Sequence, residues 1–275
     1  MANLKSETKE LNNKRNSPKV YIEADVTFKN QDGFDISGKL VECQSEIKKD
    51  DFIIFLHGFA GDKDENGLFS DAAKLFAQYG FSSLRFDFFG HGHSAGDPKS
   101  LTLLMESSDF KSSIAFLESK YNPQSFIVIG FSLGAFVAII NPVDKIKCLI
   151  LWSPALFPDK DMYPRYCEDK LIMQQIEDHG YFKKSDLLIG KSILDDFKTN
   201  NVTQYIKEIS TPIRIIHGMN DQRINWISSN NFVTQYNDTL DVDGFYIENA
   251  GHSYKEDPAF RDEVFCKTIE WINKN

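Results

Sequence analysis

Short, wholly apolar runs alternate along this chain with stretches in which apolar residues recur every three or four positions. Wholly apolar runs of five or so suit strands covered on both faces, and the wider spacing suits amphipathic helices. Strands are predicted over 52–56, 82–86, 126–129, 148–152, 213–216 and 244–247. Helices are predicted where Leu68, Ala72, Leu75, Phe76 and Tyr79 share a face, ended by Gly80, and where Phe110, Ile114, Leu117 and Tyr121 do. A closing helix carries Phe265, Ile269 and Ile272. Such alternation is the mark of parallel βαβ units. The beginning differs: residues 21–29 and 36–43 are strand-like, and Asn30-Gln31-Asp32-Gly33 between them has hairpin chemistry, so an antiparallel start is expected. The fold class is therefore α/β, a mostly parallel eight-stranded sheet flanked by helices.

One interval breaks the rhythm. Between the strands at 148–152 and 213–216 about 55 residues show no strand of matching character. A connection this long needs structure of its own or a function. The expected division is a core over 19–154 and 209–275, with 155–208 inserted as a cap. The cap is rich in helix formers and carries Met162, Tyr163, Tyr166, Met173, Tyr181 and Phe182. Residues 1–18 are polar and are expected to form a partly disordered arm, the alternative of an amphipathic docking helix having too few apolar positions.

Composition narrows the function classes. The 275 residues include 41% apolar and 26% charged residues, enough for a sizeable core, and the net charge of −9 argues against nucleic acid or an anionic membrane surface as partner. No apolar run approaches the roughly 20 residues that span a bilayer, and no secretory leader is evident. Cys43, Cys148, Cys167 and Cys266 are scattered without a framework spacing, which fits a reducing cytoplasm. The oligomeric state is left open, a homodimer included.

Gly130-Phe131-Ser132-Leu133-Gly134 matches G-x-S-x-G and lies between an apolar strand and the helical run 135–140. That is the setting of a nucleophile elbow, in which a sharp turn lifts the serine hydroxyl clear of the backbone. The two glycines let strand and helix atoms pack where a Cβ would otherwise stand. The bland alternative is that Ser132 caps the following helix.

A serine hydroxyl needs a base. Of the six histidines, His179, His217 and His252 follow Ser132 in the order this arrangement requires, and His252 sits in a loop just past the last strand. His217 ends a strand and reads as structural. Asp221, beyond the end of the strand before it, is the expected acid, with Asp159 and Asp161 as rivals and helix capping as its bland reading. The backbone N–H groups of Leu133 and of Phe59, in His57-Gly58-Phe59-Ala60-Gly61, are the expected oxyanion donors. Asp87, His91 and His93 lie close together but are read as a hydrogen-bonded corner rather than a metal site.

The stretches LHGFAGDKDENGLF, LRFDFFGHGHSAGD, IGFSLGA, LILWSPA, HGMNDQRI and NAGHSY, spread over about residues 53–254, resemble the α/β-hydrolases. Among these the chain resembles the bacterial cinnamoyl/feruloyl esterase-like group, related to serine aminopeptidase-like and monoacylglycerol-lipase-like enzymes. The resemblance implies Ser132, Asp221 and His252 as a triad, Phe59 and Leu133 as oxyanion donors, and a cap that shapes an acyl or aryl pocket. Two departures stand out: Ala135 replaces a frequent third glycine, and Asn141-Pro142 shortens the following helix. The expected activity is hydrolysis of a small carboxylic ester through an acyl-enzyme, with no metal or organic cofactor. Thioesterase, acyltransferase and peptidase chemistry share the first step and stay open, as does a binding protein that kept the fold without turnover. Met162, Tyr163 and Tyr166 are candidate substrate contacts. Their aromatic and methionine character suits an apolar or aryl pocket, and equally suits packing of the cap onto the body.

Overall fold

The computed structural model describes residues 2–275, and Met1 lies outside them. The strands are β1 (Tyr21–Lys29), β2 (Asp35–Cys43), β3 (Phe52–Leu56), β4 (Ser82–Phe86), β5 (Phe126–Phe131), β6 (Ile146–Trp152), β7 (Tyr181–Lys184), β8 (Leu187–Gly190), β9 (Ile213–Gly218) and β10 (Val242–Ile247). Eight of them form one sheet in the order β1-β2-β4-β3-β5-β6-β9-β10. Pairings β1/β2 and β2/β4 are antiparallel, and all others in this sheet are parallel. The antiparallel start follows from the hairpin: Asn30 Oδ1 accepts from Asp32 and Phe34 N–H, and Gly33 takes φ +82°.

Helices cover both faces: α1 (Ala2–Arg15), α2 (Leu68–Ala77), α3 (Leu103–Tyr121), α4 (Leu133–Ile139), α5 (Pro158–Asp161), α6 (Tyr163–Cys167), α7 (Lys170–His179), α8 (Ser192–Thr199), α9 (Trp226–Tyr236) and α10 (Pro258–Lys274). Strand side chains alternate between two cores, which is why the central strands are apolar throughout. In β3, Phe52, Ile54 and Leu56 enter the core shared with α3, α4 and α9, whereas Ile53 and Phe55 enter the core shared with α1, α2 and α10. Because β3, β5, β6, β9 and β10 run parallel, their carboxyl ends share one edge, and the loops leaving that edge can meet.

Two expectations need correction. Residues 2–15, read as a partly disordered arm, form helix α1. Its hold is long-range: Leu11 is buried in the second core, Arg15 pairs with Asp262 at 2.6 Å, and Lys14 Nζ donates to Gln78 O at 3.1 Å. The long interval after β6 also contains strands, the short antiparallel pair β7–β8, alongside α5 to α8. Its side chains Met162, Tyr166, Phe182 and Phe197 continue the first core rather than forming a separate one. Among the described residues no helix is long and apolar enough to cross a membrane.

Candidate active site

Ser132 is the single residue between β5 and α4, and its backbone sits at φ 53°, ψ −115°, a region that L residues rarely occupy. The surroundings impose this. Ser132 N–H donates to Trp152 O and its carbonyl accepts from Ala155 N–H, both at 3.0 Å, so the turn is stitched to the end of β6. A Cβ on Gly130 would stand 2.5 Å from Ala135 Cα, and one on Gly134 would stand 2.2 Å from Leu56 O. Both glycines of the pentapeptide therefore exist for backbone contact. Ser132 makes no side-chain capping bond to α4, which removes the capping reading. Gly134→Ala is expected to force β3 and α4 apart, costing about 3 kcal/mol. A lowered Tm in thermal unfolding checks it, and a Tm equal to that of the parent chain would refute the packing argument.

His252 lies in the loop after β10, beside Phe131 with ring centroids 4.9 Å apart. Its Nδ1–H donates to Asp221 Oδ2 at 2.6 Å. Asp221 follows β9, and its Oδ1 accepts from the N–H groups of Arg223 (2.7 Å) and Ile224 (3.0 Å). The same Oδ2 also accepts from His217 Nε2–H at 3.0 Å, while His217 Nδ1 accepts from the Ser229 hydroxyl at 2.8 Å. A carboxylate can only accept, which fixes both ring tautomers. Burial pushes the Asp221 carboxyl up, but the hydrogen bonds from His217 and His252 outweigh this and hold it well below the usual range. For His252 burial dominates and lowers its pKa, partly offset by Asp221, so the ring is kept neutral and able to accept a proton. Of the rival carboxylates, Asp159 accepts from Asn201 and Asp161 from Ser228, and neither pairs with His252.

Ser132 and His252 line one cavity. No hydrogen bond joins them among the described residues, and such bonds are often long in a free site, tightening around substrate. The backbone of His252 is pinned to the serine's neighbourhood: Ser153 Oγ lies 2.9 Å from His252 O and 2.8 Å from the Tyr254 hydroxyl, which donates to Ile216 O.

The loop after β3 approaches from the other side. A Cβ on Gly58 would lie 3.0 Å from Ser132 Cβ. His57 holds this loop, its Nδ1–H donating to Gly58 O and its Nε2 accepting from Phe88 N–H. Burial drives its pKa down to about 4, so it is neutral at pH 7. Glu65, unnoticed in the sequence, is buried with Oε1 accepting from Gly58 N–H at 2.6 Å, and burial raises its pKa to about 7. Phe59 lines the cavity, and Leu133, as first residue of α4, carries one of the N–H groups a helix leaves unpaired. In the next loop Asp87 is buried and accepts from the Lys63 ammonium at 2.6 Å and from the N–H groups of Lys63 and His93, the hydrogen-bonded corner expected of it.

The sequence profile described as serine aminopeptidase, S33, matches residues 47–179. Solved structures share the fold over nearly the whole chain. The Pyrococcus furiosus esterase Pf2001 is 22% identical, with 97% of this chain and 93% of that chain covered, at a TM-score of 0.72. This chain has the α/β-hydrolase fold. Est1E from Butyrivibrio proteoclasticus, solved with ferulic acid bound, is 20% identical at a TM-score of 0.77, covering 91% of this chain and all (100%) of that one. Bovine palmitoyl-protein thioesterase ABHD10, mitochondrial, is 26% identical over 213 residues, 74% of this chain and 67% of that protein. The profile match ends before β9, so Asp221 and His252 lie outside it.

The cavity that Ser132 and His252 line holds about 370 Å³. Met162 and Tyr166 line it, along with Ile172 and Ile224. Tyr163 does not line it; the ring lies under Lys198 at 5.8 Å. The lining is not wholly apolar, because Asp161, Arg165, Asp169, Lys184 and Arg223 share it. A larger groove of about 680 Å³ between α2 and α10 contains neither Ser132 nor His252 and is set aside on chemistry, not size.

Proposed function

We propose that this chain is a serine hydrolase that cleaves carboxylic esters through an acyl-enzyme, with Ser132 as nucleophile, His252 as base and Asp221 as the acid behind it. The observation that carries the reading is the strained turn at Ser132 opening onto the cavity that also holds the Asp221-bound imidazole. Ser132 Oγ bonds to the ester carbonyl carbon as its proton passes to His252 Nε2. Collapse of the tetrahedral intermediate breaks the bond to the alcohol oxygen, which takes that proton from His252. Water, deprotonated by the same nitrogen, then releases the acid and restores the serine. The N–H groups of Phe59 and Leu133 serve the oxyanion, and losing one such donor costs about 3 kcal/mol in comparable sites.

Segment 155–208 acts as the cap in this proposal, supported by Met162 and Tyr166 on the cavity wall. A thioester in place of an oxygen ester is the second reading, favoured by the name of the bovine relative. The scattered cysteines fit a reducing compartment, here the cytoplasm. Labelling with a fluorophosphonate followed by peptide mapping tests the mechanism. The expected adduct is on Ser132, and a folded chain that takes no label there overturns the reading. Aryl ester and thioester probes of one acyl chain, run side by side, separate the two substrate readings.

A further inference from the structure

Three cations converge on the mouth of the cavity from three separate parts of the chain. Arg165 comes from α6, Lys184 from the end of β7, and Arg223 from the loop between β9 and α9. None of the three has a carboxylate within ion-pair distance among the described residues. Arg165 instead donates to the carbonyls of Gln222 (2.9 Å) and Arg223 (3.3 Å), which ties the insert to the loop that carries Asp221. Lys184 Nζ stands over the Tyr166 ring at 5.4 Å.

The two acids on the same lining offset this group only in part, leaving the cations in excess. Asp169 is spent on capping α7, with Oδ1 accepting from Leu171 and Ile172 N–H. Asp161 is part-buried, accepts from Ser228, and is pushed up to about 6 by burial and by Asp159 and Asp221, so at pH 7 it keeps most of its charge but makes no ion pair with the three cations. The cations meanwhile oppose each other: burial first, then Arg223 and Arg165, lower the pKa of Lys184. Gathering three cations without an ion pair to any of them costs free energy unless something bound repays it. The chain as a whole carries −9, so a local positive mouth is the reverse of what composition alone would place there. Such a mouth focuses anions toward a site that the rest of the surface repels.

We infer that Arg165, Lys184 and Arg223 form an anion subsite and that the substrate is an ester or thioester bearing a carboxylate or phosphate group on its acyl or alcohol part. The inference rests on the serine-hydrolase reading, since it places the anion beside Ser132 and His252. Phe59, Met162, Tyr166 and Ile172 then cover the apolar stretch between the scissile carbonyl and the charge. Arginine supplies planar donors that match both oxyanions, and lysine adds a point charge.

Matched probes test this. p-Nitrophenyl hydrogen glutarate is compared with p-nitrophenyl pentanoate for charge on the acyl side. p-Acetoxybenzoate is compared with its methyl ester for a carboxylate on the alcohol side, and p-acetoxyphenyl phosphate with phenyl acetate for phosphate. At least one charged probe is expected to exceed its neutral partner about tenfold in kcat/KM, mainly through KM. The pair that shows it tells carboxylate from phosphate and acyl from alcohol side. The charged-to-neutral ratio should fall about tenfold in the double variant Lys184→Gln, Arg223→Gln, and should shrink in the unaltered protein as salt is raised through the range where exposed charges are screened. The salt series keeps the test valid if the variant folds poorly. Neutral esters turned over as well as every charged partner, or a ratio indifferent to salt, would overturn the subsite while leaving the serine mechanism standing. Failure of Ser132 to label, with no probe hydrolysed, would overturn both.

Discussion

Ser132→Ala is expected to lower kcat on a p-nitrophenyl ester by roughly 10⁵-fold while leaving the Tm nearly unchanged. The first half follows from chemistry: alanine offers no oxygen to acylate, and water alone in the same cavity inherits only the oxyanion donors and substrate binding. The second half follows from the structure. The strain at residue 132 belongs to the backbone, at φ 53° and ψ −115°, and is imposed by β5, α4 and the bonds to Trp152 and Ala155, all of which alanine keeps. The hydroxyl caps nothing, so little stability is lost with it. Esterase assay and thermal denaturation on the same preparation decide the matter. Activity within a few-fold of the parent would sink the nucleophile assignment.

Asp221→Asn should cost about 10⁴-fold in kcat, because Asp221 Oδ2 accepts from two imidazoles at once. An amide nitrogen at that point would face two N–H donors, and His252 would have to carry its proton on Nε2, where it can no longer take one from Ser132. Turning the amide the other way sets its NH₂ against the N–H groups of Arg223 and Ile224, which now donate to Oδ1. Stability should fall too, with a defined sign. The folded carboxyl is held below its ordinary value of 3.8, so ionised Asp221 stabilises the fold above that pH, and the contribution fades as pH drops further. The Tm gap between parent and variant should therefore be widest near neutrality and narrow in acid. Asp159→Asn and Asp161→Asn serve as controls, since neither residue touches His252. A loss as large in either would move the acid assignment there.

Legibility in the sequence tracked how local the determining interactions are. The runs at 52–56 and 126–129 were readable because each strand is covered on both faces and must be apolar at every position. The turn at Ser132 was readable because its requirement, glycine at 130 and 134, is met within five residues. Helix α1 was not readable, since this polar segment, in which Leu11 is buried, is held through Asp262 and Gln78, far away in the chain. The part played by Glu65 was hidden for a similar reason: nothing around it announces a carboxyl folded under the Gly58 amide. His217 was read as structural, and its place on the Asp221 carboxylate depends on how the loop after β9 turns back on itself.

From residue order alone came the α/β alternation, the antiparallel opening, the interval set aside for an insert, and the three residues on which the proposed chemistry rests. These follow from periodicity, turn chemistry and chain order, all properties of neighbours. Tertiary structure alone decided which of three carboxylates meets His252, that Tyr163 turns away from the cavity while Tyr166 lines it, and that Arg165, Lys184 and Arg223 share one mouth. Charge and hydrogen-bond complementarity act between groups brought together by folding, and segments 58 residues apart carry no mark in their order that they will meet.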